Sequence, residues 1–161
     1  MSDGVEWGIH CSVLLASLPP GSVLSGSALA EFHGVSESYL LKHLKALAKA
    51  GILASIPGVK GGFRLNRTPD AISVLDIVTA IEGDAPAFRC TEIRQRGPAS
   101  VEPEAYRSPC PINAVMLQAE RAWKEVLASQ TIADLVANVG RNTDPRSVPK
   151  AAVWLEENLR R

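Results

Sequence analysis

A mainly α-helical fold with one small β-hairpin is what this sequence predicts, and three observations carry that expectation. Apolar residues recur at helical spacing over most of the chain. One stretch, from Ile52 to Leu65, breaks that period with two brief apolar runs around a Gly-rich tip. Directly before it stand two helical segments joined by a tight glycine turn, the helix-turn-helix pattern. Together these describe a winged helix-turn-helix, followed by a long helix suited to dimerisation.

Each element has a local cause. Val5 to Leu18 reads as a first helix, stopped by Pro19-Pro20-Gly21. Ser27 to His33 is a short helix, Gly34-Val35 a turn, and Ser36 a good N-cap for the next helix. There Leu40, Leu41, Leu44, Leu47 and Ala48 repeat at helical spacing, with Gly51 as the stop. Ile52 to Ile56 and Phe63 to Leu65 are the wing strands, around Pro57-Gly58-Val59-Lys60-Gly61-Gly62. Ser73, with Asp76 three residues on, predicts a capping box for a fourth helix ending at Gly83. Asp84 to Pro109 is the least regular stretch, and so long a connection is often functional. Cys110-Pro111 then opens a long helix with an apolar stripe of Ile112, Val115, Met116, Ala119, Ala122, Trp123, Val126 and Leu127. Thr131 caps a helix from Ile132 to Val139. Gly140 to Val148 reads as a linker, and Pro149 to Arg161 as an amphipathic tail helix.

Composition narrows the function. Apolar residues make up 46% of the chain, enough for a core. No apolar run is long enough for a membrane span, and the first residues lack the pattern of a signal peptide. A cytoplasmic protein with reduced thiols is expected. Seventeen basic and seventeen acidic residues cancel. Their distribution is uneven: between Ser36 and Arg67 stand Lys42, Lys45, Lys49, Lys60, Arg64 and Arg67, against Glu37 alone. A local basic face matters more to a nucleic acid than total charge.

The second helix of a helix-turn-helix enters the major groove and reads it with its exposed N-terminal residues. Here those are Ser36, Ser38, Tyr39 and Lys42, although Tyr39 also suits a core position. Ser25 is placed to anchor a phosphate, and Lys60 on the wing to reach an adjacent minor groove or its phosphates. A homodimer would hold two such helices about 34 Å apart, which favours an inverted-repeat operator in double-stranded DNA.

Ser36-Glu37-Ser38-Tyr39-Leu40, followed by Leu47, Gly51-Ile52-Leu53 and the wing Gly58-Val59-Lys60-Gly61-Gly62-Phe63, resembles the winged-helix regulator family of IscR and NsrR. The resemblance runs over roughly residues 4 to 139 and implies a DNA-binding regulator. Two positions depart from the pattern. Pro57 stands where the best-known members carry an arginine early in the wing, and Leu41 stands where some carry an acidic residue in the recognition helix.

Cluster-holding members usually supply three closely spaced cysteines before the long helix. This chain has Cys90 and Cys110 there. A 2Fe–2S cluster takes four protein ligands, and mixed ligation has precedent. Glu6 and His10 are about 40° apart around the first helix, on one face, with Cys11 pointing elsewhere. A Glu/His pair at this spacing is also an ordinary surface contact, and two cysteines also suit a reversible disulfide or a zinc site. Glu92, Glu102 and Glu104 are further carboxylates. The segments around Gly4–Cys11, Phe88–Pro98 and Cys110–Ile112 resemble the redox-sensing RsrR-type branch. That resemblance implies a 2Fe–2S cluster on Cys90, Cys110, His10 and Glu6, with the Glu/His pair coming from the partner subunit. Trp7, between the two helix ligands, is then a candidate signal relay to the DNA-binding domain. Cys11 reads as a small buried apolar residue.

The expectation is a dimeric DNA-binding regulator, most simply a repressor, controlled by the redox state of its cluster. The alternatives are a cluster-free thiol switch on Cys90 and Cys110, or a small zinc metalloenzyme. An enzyme is disfavoured, because a catalytic metal needs an open position and a substrate pocket, and no small-molecule substrate is expected. Residues 1–83 are expected to form the DNA-binding domain, 84–110 the cofactor loop, 111–139 the dimerisation helices, and 140–161 a linker and tail helix.

Overall fold

The computed structural model describes residues 1–160. The elements run α1 (Asp3–Ala16), α2 (Gly26–His33), α3 (Glu37–Lys49), β1 (Leu53–Ile56), β2 (Gly62–Leu65), α4 (Val74–Glu82), α5 (Pro111–Ala128), α6 (Ile132–Asn142) and α7 (Ser147–Asn158). The mainly helical winged-helix expectation is borne out. The chain divides into two compact units, one of Met1–Gly83 with the segment from Ala128 onward, the other of Asp84–Leu127.

In the first unit, α2 and α3 form the helix-turn-helix. Gly34 takes a left-handed φ of 66°, which closes the turn. On α3 the apolar positions point one way: Leu40, Leu44 and Leu47 have no exposed surface. They meet Leu24, Leu29, Ile52 and Ile77 in a core roofed by α1. Leu41 also faces inward, crowding Gly26, where an added Cβ would sit 2.4 Å from the Leu41 side chain. The departure from an acidic residue at this position thus fills a helix crossing.

The wing pairs antiparallel, with Leu53 opposite Leu65 and Ile56 opposite Gly62. It is not an isolated hairpin. Leu24 and Phe63 exchange both backbone hydrogen bonds, at 3.1 and 2.7 Å. Gly62 allows this approach, because a Cβ there would lie 2.3 Å from the Leu24 carbonyl oxygen. On the other side of this extended segment, Val23 pairs with Arg160.

The expected caps form where their chemistry requires. Ser73 and Asp76 make a capping box at α4, and Thr131 and Asp134 make another at α6. These two helix starts are stitched together, Val74 N–H donating to Gln130 and Ile132 N–H to Ile72. Ser36 differs. It is the N-cap residue of α3, but its hydroxyl accepts no backbone N–H of that helix and is instead hydrogen-bonded, at 3.2 Å, to the Ser38 hydroxyl.

Several boundaries move. The first helix starts at Asp3 and ends at Ala16, two residues short of the expected Leu18. Gly140 does not end α6. The helix continues to Asn142, and Thr143 closes it by donating its backbone N–H and its hydroxyl to the Val139 carbonyl. Glycine permits a break without requiring one. Likewise α7 begins at Ser147, because Pro149 fits the first helical turn, where its missing N–H costs nothing. Arg161, the last residue of the expected tail helix, lies outside the described residues.

The second unit contains the irregular segment and α5. The segment has 3-10 turns at Ile93–Gln95 and Pro103–Tyr106, and its own polar ties. Tyr106 donates its hydroxyl to the Arg94 carbonyl and accepts from Val101 N–H. Glu120, buried on α5, accepts from Ala87 N–H and pairs with Lys124.

Candidate nucleic-acid interface and metal centre

The first turns of α3 present the expected reading residues to solvent: Ser36, Ser38, Tyr39 and Lys42 are all exposed. Their placement follows from α3's periodicity, since Leu40, Leu44 and Leu47 bury the opposite face. Tyr39 is not a core residue. The residue is 43% exposed, and its ring makes T-shaped contacts with Trp7 of α1 and His43 of α3. The Lys42 ammonium lies 6.0 Å from the centre of the same ring. Lys60 is exposed at the wing tip, and Arg64 on β2 extends the basic surface. Ser25 already works as the N-cap of α2, where its hydroxyl accepts from Ala28 N–H.

His43 supports this arrangement from beneath. It is buried, its Nε2 has no hydrogen-bond partner, and burial and the nearby Lys42 lower its pKa. A neutral imidazole therefore wedges between α3 and the start of α1, where Gly4 leaves room for it.

The second unit brings Cys90 and Cys110 together. Each offers a sulfur, and with a Glu92 carboxylate oxygen these donors all lie within 4.8 Å of one another. Cys110 is held at the entrance of α5, where the Asn113 and Ile112 backbone N–H groups and the Arg94 cation lower its thiol pKa. Free amides at a helix start favour a thiolate, the form that binds metal. Glu92 takes a left-handed φ of 50°, alone among the described non-glycine residues. Such a conformation costs about 1–2 kcal/mol and persists where surrounding contacts enforce it. Arg94 pairs with the Glu92 carboxylate at this bend and lowers its pKa. Arg94 also reaches the Ser108 carbonyl and stacks over Tyr106, its guanidinium carbon 5.3 Å from the ring centre. Two thiols and a carboxylate at this spacing suit a metal ion or an iron–sulfur cluster.

Glu6 and His10 belong to the first unit. Both are exposed on α1, and both line one shallow hollow with Met1, Ser2 and Ile9. The His10 ring lies 5.7 Å from that of His33. Cys11 is fully buried, and burial pushes its thiol up to about 12, so it behaves as an apolar filler. Glu102 and Glu104 are not among the residues that meet the cysteines. Arg94 went unnoticed in the sequence, since the bend that turns it onto Glu92 leaves no periodic signal.

A winged helix with an exposed recognition helix, a basic wing and a separate thiol-bearing unit defines a class, the DNA-binding transcriptional regulators. The chain belongs to the Rrf2 family, described as iron-dependent transcriptional regulators, whose model matches residues 1–138. It is 34% identical over 135 residues to YffB of Lactococcus lactis, named as an HTH-type transcriptional regulator, covering 84% of this chain and 85% of that one. Among solved structures, IscR of T. potens superposes with a TM-score of 0.68 at 25% identity, covering 89% of this chain and 90% of that one. CymR of B. subtilis, titled its global cysteine regulator, superposes with a TM-score of 0.65 at 28% identity, covering 86% and 96%. The chain is accordingly a transcriptional regulator and not an enzyme. Among the described residues, no helix is long and apolar enough to cross a membrane.

Proposed function

We propose that this regulator is a cytoplasmic homodimeric repressor, of the RsrR-type branch, whose grip on an inverted-repeat operator follows the redox state of a 2Fe–2S cluster. The observation that carries this reading is the convergence of Cys90 and Cys110 at the start of α5. Cys90 and Cys110 would hold the cluster together with the Glu6/His10 pair of α1, which the resemblance assigns to the partner subunit. When bound, the cluster supplies one-electron chemistry, at a potential raised by carboxylate and imidazole ligation. Arg94 offsets the negative charge of the thiolates. Trp7 follows in sequence from Glu6 and lies against Tyr39, so a shift of α1 reaches the reading face of α3.

The same reading makes α5 the dimer helix. Its apolar stripe lies on the surface of this chain, with Ile112 and Val115 each 64% exposed and Met116 41%. A second copy of α5 covers such a stripe at the least cost, since each protomer then buries the same face.

A second reading is a cluster-free thiol switch, in which Cys90 and Cys110 close a reversible disulfide. The proximity of the two sulfurs and the likeness to a cysteine regulator favour it. The visible spectrum of anaerobically purified protein separates the two. Broad bands between roughly 300 and 600 nm are expected for the cluster. A colourless protein that gains a Cys90–Cys110 disulfide on oxidation would establish the thiol switch instead.

A further inference from the structure

The C-terminal segment, beyond the 138 residues matched by the family model, holds the wing in place. Its root is fixed on the helix-turn-helix: the Trp154 indole packs against Phe32 at a centroid distance of 5.0 Å and donates its N–H to Glu31. Its end is fixed on the wing. Arg160 exchanges two backbone hydrogen bonds with Val23, at 3.0 and 3.1 Å, joining the segment whose next residue, Leu24, pairs with Phe63. The Arg160 guanidinium then donates through Nη1 to the carbonyl oxygens of Val59, at 3.0 Å, and Gly61, at 2.8 Å. Those two carbonyls flank Lys60.

A glycine-rich tip does not keep one shape by itself, because Gly58, Gly61 and Gly62 impose few backbone limits. Its own internal tie is the bond from Gly61 N–H to Gly58 O, at 2.8 Å. A guanidinium that bonds two carbonyls of the tip supplies charge-assisted hydrogen bonds, each stronger than a neutral one. Both bonds leave from Nη1, and lysine does not place a donor there, since its ammonium stands one bond nearer the backbone on a flexible stem.

We infer that Arg160 is a positioning residue for DNA binding: it clamps the wing tip by the Val59 and Gly61 carbonyls and so aims Lys60 at the DNA backbone. The tail helix α7 is the strut that ties this clamp to α2. This rests on the reading of Lys60 as a DNA contact, and the test separates the two.

Affinity for a short nonspecific DNA duplex is measured over a range of salt for the full-length protein carrying Lys60→Ala, Arg160→Ala, Arg160→Lys or both alanine changes. Thermal melts accompany each variant, together with amide exchange at Gly61. Lys60→Ala is expected to weaken binding roughly fivefold and to lower the salt slope by about 0.9. Arg160→Ala and Arg160→Lys are both expected to match it, with faster Gly61 exchange and an almost unchanged melting point. Adding Arg160→Ala to Lys60→Ala should then change little. Unchanged binding by Lys60→Ala would remove the wing contact and this inference with it. A Lys60 effect without an Arg160 effect would overturn only the clamp. Wild-type binding by Arg160→Lys, or losses that multiply in the double variant, would make Arg160 a direct phosphate contact and also overturn it. If Arg160→Ala fails to fold, Arg160→Lys alone distinguishes the clamp from a direct contact.

Discussion

The Trp7 indole meets the Tyr39 ring edge-on, with centroids 5.2 Å apart and planes at 87°. This contact joins the helix that carries the proposed Glu6/His10 ligands to the helix that carries the proposed reading residues. Trp7 sits on α1 between Glu6 and His10, and Tyr39 sits on the exposed start of α3 beside Lys42. An edge-to-face pair of this kind contributes about 0.5–1.5 kcal/mol beyond its buried area, enough to bias one side-chain setting over another.

Trp7→Ala should therefore uncouple sensing from binding. The variant is expected to bind operator DNA with nearly the same affinity after oxidation and after reduction, while its absorption spectrum stays that of the parent. Mobility shifts under both conditions measure this. Retention of the parent's redox dependence would remove Trp7 from the signal path.

The choice of carboxylate ligand is open to a direct comparison. Arg94 already neutralises Glu92, whereas Glu6 is exposed on α1 with no salt-bridge partner within reach among the described residues. Glu6→Ala is expected to lower iron and sulfide content and to bleach the visible bands. Glu92→Ala is expected to keep them, with some loss of order around Cys90. The reverse pattern would give the fourth ligand position to Glu92.

Placing a charge on the α5 stripe should separate the protomers. Val115→Glu is expected to shift the protein to monomer in sedimentation velocity and to lower DNA affinity at least tenfold, since two half-sites are then bound independently. A variant that sediments as a dimer would place the interface elsewhere.

Much of the fold was legible along the chain. The helix-turn-helix could be read because α3 buries one face, so Leu40, Leu44 and Leu47 announce their period whatever surrounds them. The capping box at Ser73 and the cap at Thr131 were legible for the same reason: the cap and its partner lie within one turn of each other. Boundaries that depend on distant contacts were not. Gly140 looked like a stop, yet α6 runs past it.

The candidate site divides along the same line. Cys90 and Cys110 could be named from the sequence, since thiols before a long helix are few and chemically distinctive. Their approach to within 4.8 Å, and the arrival of Glu92 beside them, could not. It depends on a left-handed residue, on Arg94 folding back over Tyr106 and on hydrogen bonds that span the loop. None of these repeats with any period.

By itself, then, the sequence determined the winged helix, the exposed face of α3 with Ser38, Tyr39 and Lys42, and the identity of the thiols. These follow from interactions between residues near in the chain, whose geometry is set by helix and strand repeats. Only the tertiary structure decided that Trp7 touches Tyr39, that Glu92 joins the cysteines, and that Arg160 reaches the wing carbonyls. Each of those contacts joins segments brought together by burial of apolar surface, and burial is non-directional. It selects which faces meet without marking, in the local pattern, which polar group will stand beside which.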